Sequence, residues 1–410
     1  MTDILYISYD GMTDPLGQSQ VIPYLKGLSK LGYRFTLISF EKQERYESHR
    51  EEVSTILLSN NIEWVPLTYT KKPPILSTLW DILRMRHTAF ALHKQKRFKL
   101  VHCRSYISAM VGLAMKRKAG IKFLFDMRGF YADERGEGGI WNLSNPAFKL
   151  IYSFFKKKEL DFFSNADYSI SLTDNGKREI QSWISIEGQP IPIQVIPCCA
   201  DLDKFCRDNI NEVALQKLKT QLGLSPNTFV LSYLGSVGTW YMPEEMLDFF
   251  KILLGKIPDA RFLFITGDSP VHIKQLAKVK EIPEERILVS SARHAEVPLY
   301  LALSSWSMFF IKPVYSKKAS SPTKQGEIMG MGIPHICNAG VGDVSEIVNS
   351  EKLGICISDF SSATYEAAVN EICKAQTEAK AIRAKAFEQY SLEAGVAKYY
   401  SVYQKLLGAS

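Results

Sequence analysis

The sequence has no apolar run that could cross a bilayer: the uncharged stretch from Val297 to Ile311 is too short and too polar. It opens on MTDILYISYDGMTD, without the basic and apolar regions of an export signal, so neither export nor anchoring is expected. Its seven cysteines, at 103, 198, 199, 206, 337, 356 and 373, form no CxxC pair and no Cys/His ligand spacing. That pattern argues against a disulfide framework and a zinc site, and reduced, buried thiols are expected. Repeats of solenoid period, low-complexity tracts and the GxGxxG dinucleotide fingerprint are also missing. What remains is a chain of 410 residues, 46% hydrophobic and 23% charged, with a mean hydropathy of −0.08. This is the composition of a folded soluble protein, with room for two or three domains of roughly 100–200 residues. A cytoplasmic location is the expectation.

Acidic residues are scarce in one region. The chain carries 50 Lys and Arg against 43 Asp and Glu, yet residues 201–410 are balanced at 23 each. The excess lies in residues 1–200 and is concentrated in 71–122, which hold thirteen basic residues and one acid, Asp81. Two stretches mix large apolar residues with basic ones: 75–99, with Trp, Phe, Leu and Ile among Lys and Arg, and 147–163, with Phe, Leu and Ile among Lys. This is the composition of helices at an anionic interface, so residues 71–122 and 154–158 are expected to face anionic lipid, with peripheral association at the inner face of the cell membrane. No nucleic-acid-binding motif accompanies the charge, and no nucleic-acid partner is expected. A solvated core helix remains an equal alternative.

Short β-rich runs alternate with helical patterns. DILYIS, RFTLIS, IEWVP, LVHC, IKFLFD, DYSISL and IQVI read as strands in the first half, with helices near 19–32, 42–60, 75–97, 106–118, 146–164 and 174–185 between them. After Pro197 the pattern restarts with FVLSYLG, ARFLFITGD, RILVSS, WSMFFIKP and IPHICN, and helices near 243–255, 270–281, 295–303, 323–331 and 361–387. Such alternation predicts parallel sheets covered on both faces. The expected architecture is two α/β units, 1–197 and 198–390, with a cleft between them. An aromatic helix at about 391–410 either closes the second unit or crosses back to the first.

Two segments could hold an anion. After the first strand, Asp10-GMTDPLG leads into a helix, placing Gly17 and Ser19 where helix N–H groups meet ligands in α/β sheets. A plain strand-to-helix turn is an equal reading of this segment alone. In SSPTKQGEIMGMGIP, Ser321 and Thr323 flank Pro322 at a predicted helix start, with Lys324 and Glu327 in its first turn. Hydroxyls, free N–H groups and a lysine there suit a diphosphate, and Glu327 suits a ribose diol. An ordinary capped helix with an i, i+3 Lys–Glu pair is the structural alternative.

The pattern K-x-x-E-x-M-x-x-G-x-P resembles the donor-binding signature of GT-B glycosyltransferases, most nearly glycosyltransferase family four. GQSQVIPYLKGLSKLGYRFTLISF, VIPCCADLDKF, YLGSVGTW, FLFITGD and EVPLYLALSSWSMFFIKP resemble further parts of that family in the same order, over nearly the whole chain. The resemblance implies two Rossmann-like doubly wound domains facing each other across a cleft, an acceptor domain first and a nucleotide-sugar donor domain second. It implies Lys324 on the donor diphosphate, Glu327 on the ribose and Gly17 near the phosphate. Two departures stand out. The family has a glutamate eight positions before the one matching Glu327, where this chain has Ala319, and a basic residue after the strand matching YLGSVG, where Gly238, Thr239 and Trp240 stand. Arg293, Lys317 or Lys318 could supply that charge. Asp201 and Asp203 match a metal-binding DxD but fall in the predicted interdomain segment, so no metal or other cofactor is expected.

In the first unit, FDMRGFYADERGEG places Asp126, Arg128, Asp133, Glu134 and Arg135 after a predicted strand, at the expected ligand rim; a loop satisfied by its own ion pairs is the alternative. His102 reads as a core histidine and Arg104 as a phosphate or acceptor ligand. The expected catalytic residues are therefore Lys324, Asp126, Arg128 and Asp133. Gly17, Ser321, Thr323, Lys324, Glu327 and Asp268 are expected to bind the donor, and Asp10, Arg104 and Glu134 the acceptor. Lys324 and Glu327 are expected to line an open cleft. The expected activity is transfer of a sugar, of hexosyltransferase type, from a nucleoside-diphosphate donor to a saccharide or lipid-linked saccharide acceptor, with retention, in cell-surface polysaccharide or glycoconjugate synthesis. A nucleotide-sugar epimerase of the same fold and a non-catalytic adaptor with a basic surface stay open as alternatives.

Overall fold

Among the described residues thirteen short strands, rich in Val, Ile, Leu and Phe, are too apolar to leave a face in water, and each of the two sheets they build is parallel and covered by helices. The computed structural model describes residues 1–350, 352–375 and 378–408. The first unit comprises Met1–Pro197 and a helix from the far end of the chain; the second comprises Cys198–Ser391.

The first unit runs β1 (Thr2–Ser8), α1 (Pro15–Gln20), α2 (Ile22–Lys30), β2 (Tyr33–Glu41), α3 (Gln43–Leu58), β3 (Ile62–Thr68), α4 (Leu76–Lys96), β4 (Leu100–Arg104), α5 (Ser105–Ala119), β5 (Lys122–Asp126), α6 (Tyr131–Glu137), α7 (Pro146–Asn165), β6 (Tyr168–Ser171), α8 (Asp174–Gln181) and β7 (Ile193–Val195). Its sheet order is β3-β2-β1-β4-β5-β6-β7. The strand sequence reverses direction between β1 and β4, the place where doubly wound sheets open a crevice beyond their carboxyl ends.

The second unit runs α9 (Glu212–Gln221), β8 (Val230–Leu234), α10 (Pro243–Lys256), β9 (Arg261–Ile265), α11 (Pro270–Val279), β10 (Ile287–Ser290), α12 (Val297–Leu301), β11 (Trp306–Met308), α13 (Thr323–Gly330), β12 (His335–Asn338), α14 (Val344–Ser350), β13 (Gly354–Ile357), α15 (Ser362–Ile372) and α16 (Ala379–Tyr390). Its order is β10-β9-β8-β11-β12-β13, reversing between β8 and β11. The last helix, α17 (Leu392–Leu407), packs on α2 of the first unit. It does so through a bare backbone at Gly27, where a Cβ would stand 2.5 Å from Val396 Cγ2.

Several boundaries differ from the sequence expectation for local reasons. The single helix expected near 19–32 is two, because Val21 leaves helical geometry (φ −127°) and Pro23 starts the second. β11 ends at Met308 and not at Pro313, since Ile311 bridges to Tyr241 and both backbone groups of Ile311 bond to the Asn338 side chain. The helix expected over 361–387 is α15 and α16; residues 376 and 377 within it lie outside the described residues. β13, only GICI, was not anticipated.

Candidate functional site

At the switch point of the second unit, β8 delivers Tyr233 and then turns through Gly235 at φ +110°, a conformation that favours glycine. The turn makes room for Lys324: a Cβ on Gly235 would lie 3.0 Å from its Nζ. Lys324 comes from the first turn of α13, whose cap residue Pro322 makes no side-chain cap. Its ammonium donates to Tyr233 Oη (3.2 Å) and lies over the rings of Tyr233 (4.4 Å) and Tyr241 (3.6 Å). Lys324 is 7% exposed, not lining an open cleft as the sequence suggested. Burial pushes its pKa well below the ordinary lysine value, and Glu327 only partly opposes this. A cation held on aromatic faces beside a helix N-terminus is an anion site in search of its anion.

The surrounding groups complete a polar cradle. Ser321 Oγ accepts from the Cys198 N–H (3.1 Å), which leaves its hydroxyl proton to donate elsewhere. Thr323 is the first helical residue, and its N–H and that of Lys324 precede the first intrahelical bonds of α13. Glu327, 9% exposed, places Oε1 3.4 Å from His294 Nε2, and His294 Nδ1 lies 2.6 Å from Lys204 Nζ. His294 and Lys204 escaped the sequence reading because no motif links them to α13. Asp268 accepts the Val237 N–H at 2.6 Å, so its carboxylate fixes the loop that carries Trp240 and Tyr241.

The two departures noted above have structural counterparts. Ala319 is fully buried. Of the three substitutes for the missing charge, Arg293 is exposed and pairs with Glu296 (2.7 Å), and Lys318 lies over Tyr315 (5.1 Å). Lys317 is 5% exposed, with Nζ over the Trp240 ring at 3.7 Å, and so brings a cation to the very loop that lacks one. Asp201, by contrast, accepts the Lys204 N–H (3.0 Å), a local turn contact. Among the described residues no group of three or more His, Cys, Asp or Glu could hold a metal.

In the first unit the loop after β1 is clamped by Glu41, the last residue of β2. Its buried carboxylate accepts from Met12 N (2.7 Å), Thr13 N (3.1 Å), Thr13 Oγ1 and Ser39 Oγ (both 2.5 Å). Gly17 packs on that loop: a Cβ there would meet Gly11 O at 2.2 Å and Met12 Cα at 2.6 Å. Both obstacles are backbone, so Gly17→Ala should cost at least about 1–3 kcal/mol, measurable by urea unfolding, with no ligand present. Ser19 donates to Pro15 O within α1.

Across the β1/β4 switch point, Arg104 Nε donates to Asp10 (3.2 Å). Arg104 is 3% exposed, whereas the Asp10 side chain is 43% exposed. Asp126, expected at the rim, is buried at the end of β5: it accepts from Tyr399 Oη (2.7 Å) and lies 3.5 Å from His102 and 3.7 Å from Arg128. Burial alone would raise its pKa, but Arg128, His102 and Arg104 outweigh that and hold it at about 2. His102, whose pKa burial lowers, lies 2.8 Å from Tyr403 Oη, so α17 is fastened to β4 and β5 by two tyrosines. Asp133 is likewise internal, accepting from Tyr152 (2.6 Å) and Lys156 (2.8 Å) of α7. Glu134 stays half-buried on α6, and Arg135 lies over the Tyr131 ring (4.1 Å).

Residues 19–204 match the family described as Glycosyltransferase Family 4, and residues 216–389 that described as Glycosyl transferases group 1. No curated protein matches. Among solved structures, sucrose-phosphate synthase from Thermosynechococcus elongatus is similar at a TM-score of 0.74 and 16% identity, covering all of both chains. Anabaena HepE in complex with UDP and glucose is similar at 0.71 and 15%, again over both whole chains. A putative UDP-N-acetylglucosamine 2-epimerase from Listeria monocytogenes is similar at 0.61 and 13%, covering all of this chain and 97% of that one. At such identities these likenesses establish the shared fold.

Proposed function

Since the chain is a nucleotide-sugar glycosyltransferase of the GT-B fold and family-four type, we propose that it transfers a hexose to a saccharide or lipid-linked saccharide, with retention and without metal, in cell-surface polysaccharide or glycoconjugate synthesis. The observation that carries this reading is Lys324, a buried cation on two aromatic rings at the β8/β11 switch point. As the acceptor oxygen bonds to the anomeric carbon, the bond from that carbon to the diphosphate breaks and the acceptor proton passes to the departing phosphate oxygen. Negative charge grows on the diphosphate. Lys324 and the N-terminal amides of α13 are preorganised to stabilise it, with Lys317 as the second cation. Ser321 and Thr323 contact the phosphates, and Glu327 takes the ribose hydroxyls with His294 beside it.

Gly17 and Asp268 act by shaping their loops, and Asp10, Arg104 and Glu134 form the acceptor rim. Asp126 and Asp133, the carboxylates an epimerase of this fold would draw on, are each engaged internally, which favours transfer. Arg128 acts through Asp126.

A thermal-shift panel of nucleoside diphosphates and their sugars tests the donor site. A ligand at a hundred times its dissociation constant should stabilise the protein by about 2.7 kcal/mol. Transfer should survive excess EDTA; loss of activity restored by Mg²⁺ or Mn²⁺ would refute the metal-free reading. Conversion of donor with no acceptor present would favour the epimerase.

A further inference from the structure

α4 is built inside out. The positions it buries, four residues apart, are Ser77, Asp81, Met85 and Ala89. The fully buried Asp81 carboxylate accepts from Tyr9 Oη (3.0 Å), Thr70 N (3.0 Å) and Thr70 Oγ1 (2.8 Å). The outward face of its first two turns is apolar instead: Leu76, Leu79, Trp80 and Leu83 are 50–62% exposed. Ile75, just before them, is exposed and held at φ +71°, an unfavourable conformation for a β-branched residue. Scattered exposed apolar residues are ordinary, but five in nine positions on one surface mark an interaction site.

A second stripe lies on α7, where Leu150 is 72% and Phe154 43% exposed, with exposed Lys149 and Lys157 beside them. α4 and α7 both pack against α5, and both start at the carboxyl edge of the sheet, where Asp10 and Arg104 lie. From Leu83 the first stripe runs into an open groove of about 570 Å³ lined by Arg86, His87, Phe90, Lys94 and Lys118. The one acid of residues 71–122 is the buried Asp81, and residues 138–158 contain none, so neither stripe presents a carboxylate.

We propose that the first unit docks on an anionic lipid bilayer through these two stripes, the apolar side chains entering the acyl boundary and the basic groove holding headgroups. The charge selects the occupant: exposed apolar side chains on segments whose exposed charges are Lys and Arg match an anionic phospholipid surface. Docking stands on α4 and α7 alone. That it delivers a lipid-linked acceptor to the neighbouring rim rests on the function proposed above.

The test is co-sedimentation of the full chain with vesicles of phosphatidylcholine alone or mixed with phosphatidylglycerol. Binding is expected only to the anionic vesicles and should weaken steeply with salt. The Leu79→Glu/Trp80→Glu variant, altered only at exposed positions, should keep its melting temperature and its stabilisation by nucleoside diphosphate but lose at least tenfold in vesicle affinity. Each of Arg86→Gln and Lys94→Gln should cost about fivefold. Equal binding to neutral and anionic vesicles, a wild-type protein that stays in the supernatant, or an unimpaired double variant would overturn the proposal. So would a concentration-dependent dimer that the double variant abolishes, which would make a second copy the occupant. Vesicle binding by a protein that transfers no sugar would leave docking intact and refute the function instead.

Discussion

Replacing Lys324 by methionine should lower kcat by about 10²–10³ while the melting temperature holds or rises. The first part follows from losing one preorganised group aimed at charge that appears as the diphosphate departs. The second follows from burial: the ammonium is desolvated, and an apolar chain of similar length replaces a buried charge with little loss of packing. Alanine would instead leave a cavity against Tyr233 and Tyr241 and confuse the two effects. The pH dependence has a definite sign. Because the native pKa of Lys324 is pushed down by burial, the unfolded chain binds more protons between that value and the ordinary one, so this residue's contribution to stability rises with pH across that window. The advantage of Lys324→Met should therefore shrink as pH rises. A bound diphosphate favours the charged lysine, so binding within that window should take up protons. Calorimetry in buffers of different ionisation enthalpy would show the uptake, and it should vanish in Lys324→Met. Turnover near wild type in that variant would remove Lys324 from the mechanism.

Asp126→Ala should destabilise the protein by about 3–5 kcal/mol, the scale of removing one partner from a buried charge cluster. It takes the carboxylate from beside the Arg128 guanidinium and from the field of the buried Arg104, and frees Tyr399 from its acceptor. α17 should loosen, so limited proteolysis near residue 392 should accelerate. Asp126→Asn, which can still accept from Tyr399, should lose less. The carboxylate is held at about 2, below its ordinary 3.8. Its stabilising contribution is thus complete above about pH 4 and lost as pH falls through 2, and the deficit of Asp126→Asn should narrow over that interval. If Asn abolished turnover at unchanged stability, Asp126 would be catalytic, as its place after a strand first suggested.

That contrast shows what a linear reading can reach. Lys324 and Glu327 were legible because a helix start has a local signature and a spacing of three places both on one turn. Their burial was not, because Tyr233 and Tyr241 close over Lys324 from eighty or more residues away in sequence. Central strands such as LVHC declared themselves by unbroken apolar runs, whereas GICI is too short to do so. Glu41 looked like any strand-end acid; only the folded loop shows four donors converging on it. The period of α4 was visible, but the usual rule would turn Leu79 and Leu83 inward. The carboxylate that reverses the helix is bound by Tyr9, whose partnership with Asp81 no local pattern reports.

The place of α17 bears on how the protein is made. A ribosome finishes Met1–Pro197 long before it reaches Leu392, and the intervening 194 residues take about 10–40 s at about 5–20 residues per second. Throughout that interval the nascent first unit lacks the helix that covers Gly27, Tyr24 and Tyr33 and supplies partners to His102 and Asp126. It must wait with a buried-to-be aromatic surface in water and an unshielded carboxylate at the end of β5. Completion of the part synthesised first is thereby tied to completion of the part synthesised second, and a chain stalled within the second unit leaves a sticky, unfinished first one for chaperones and proteases to recognise.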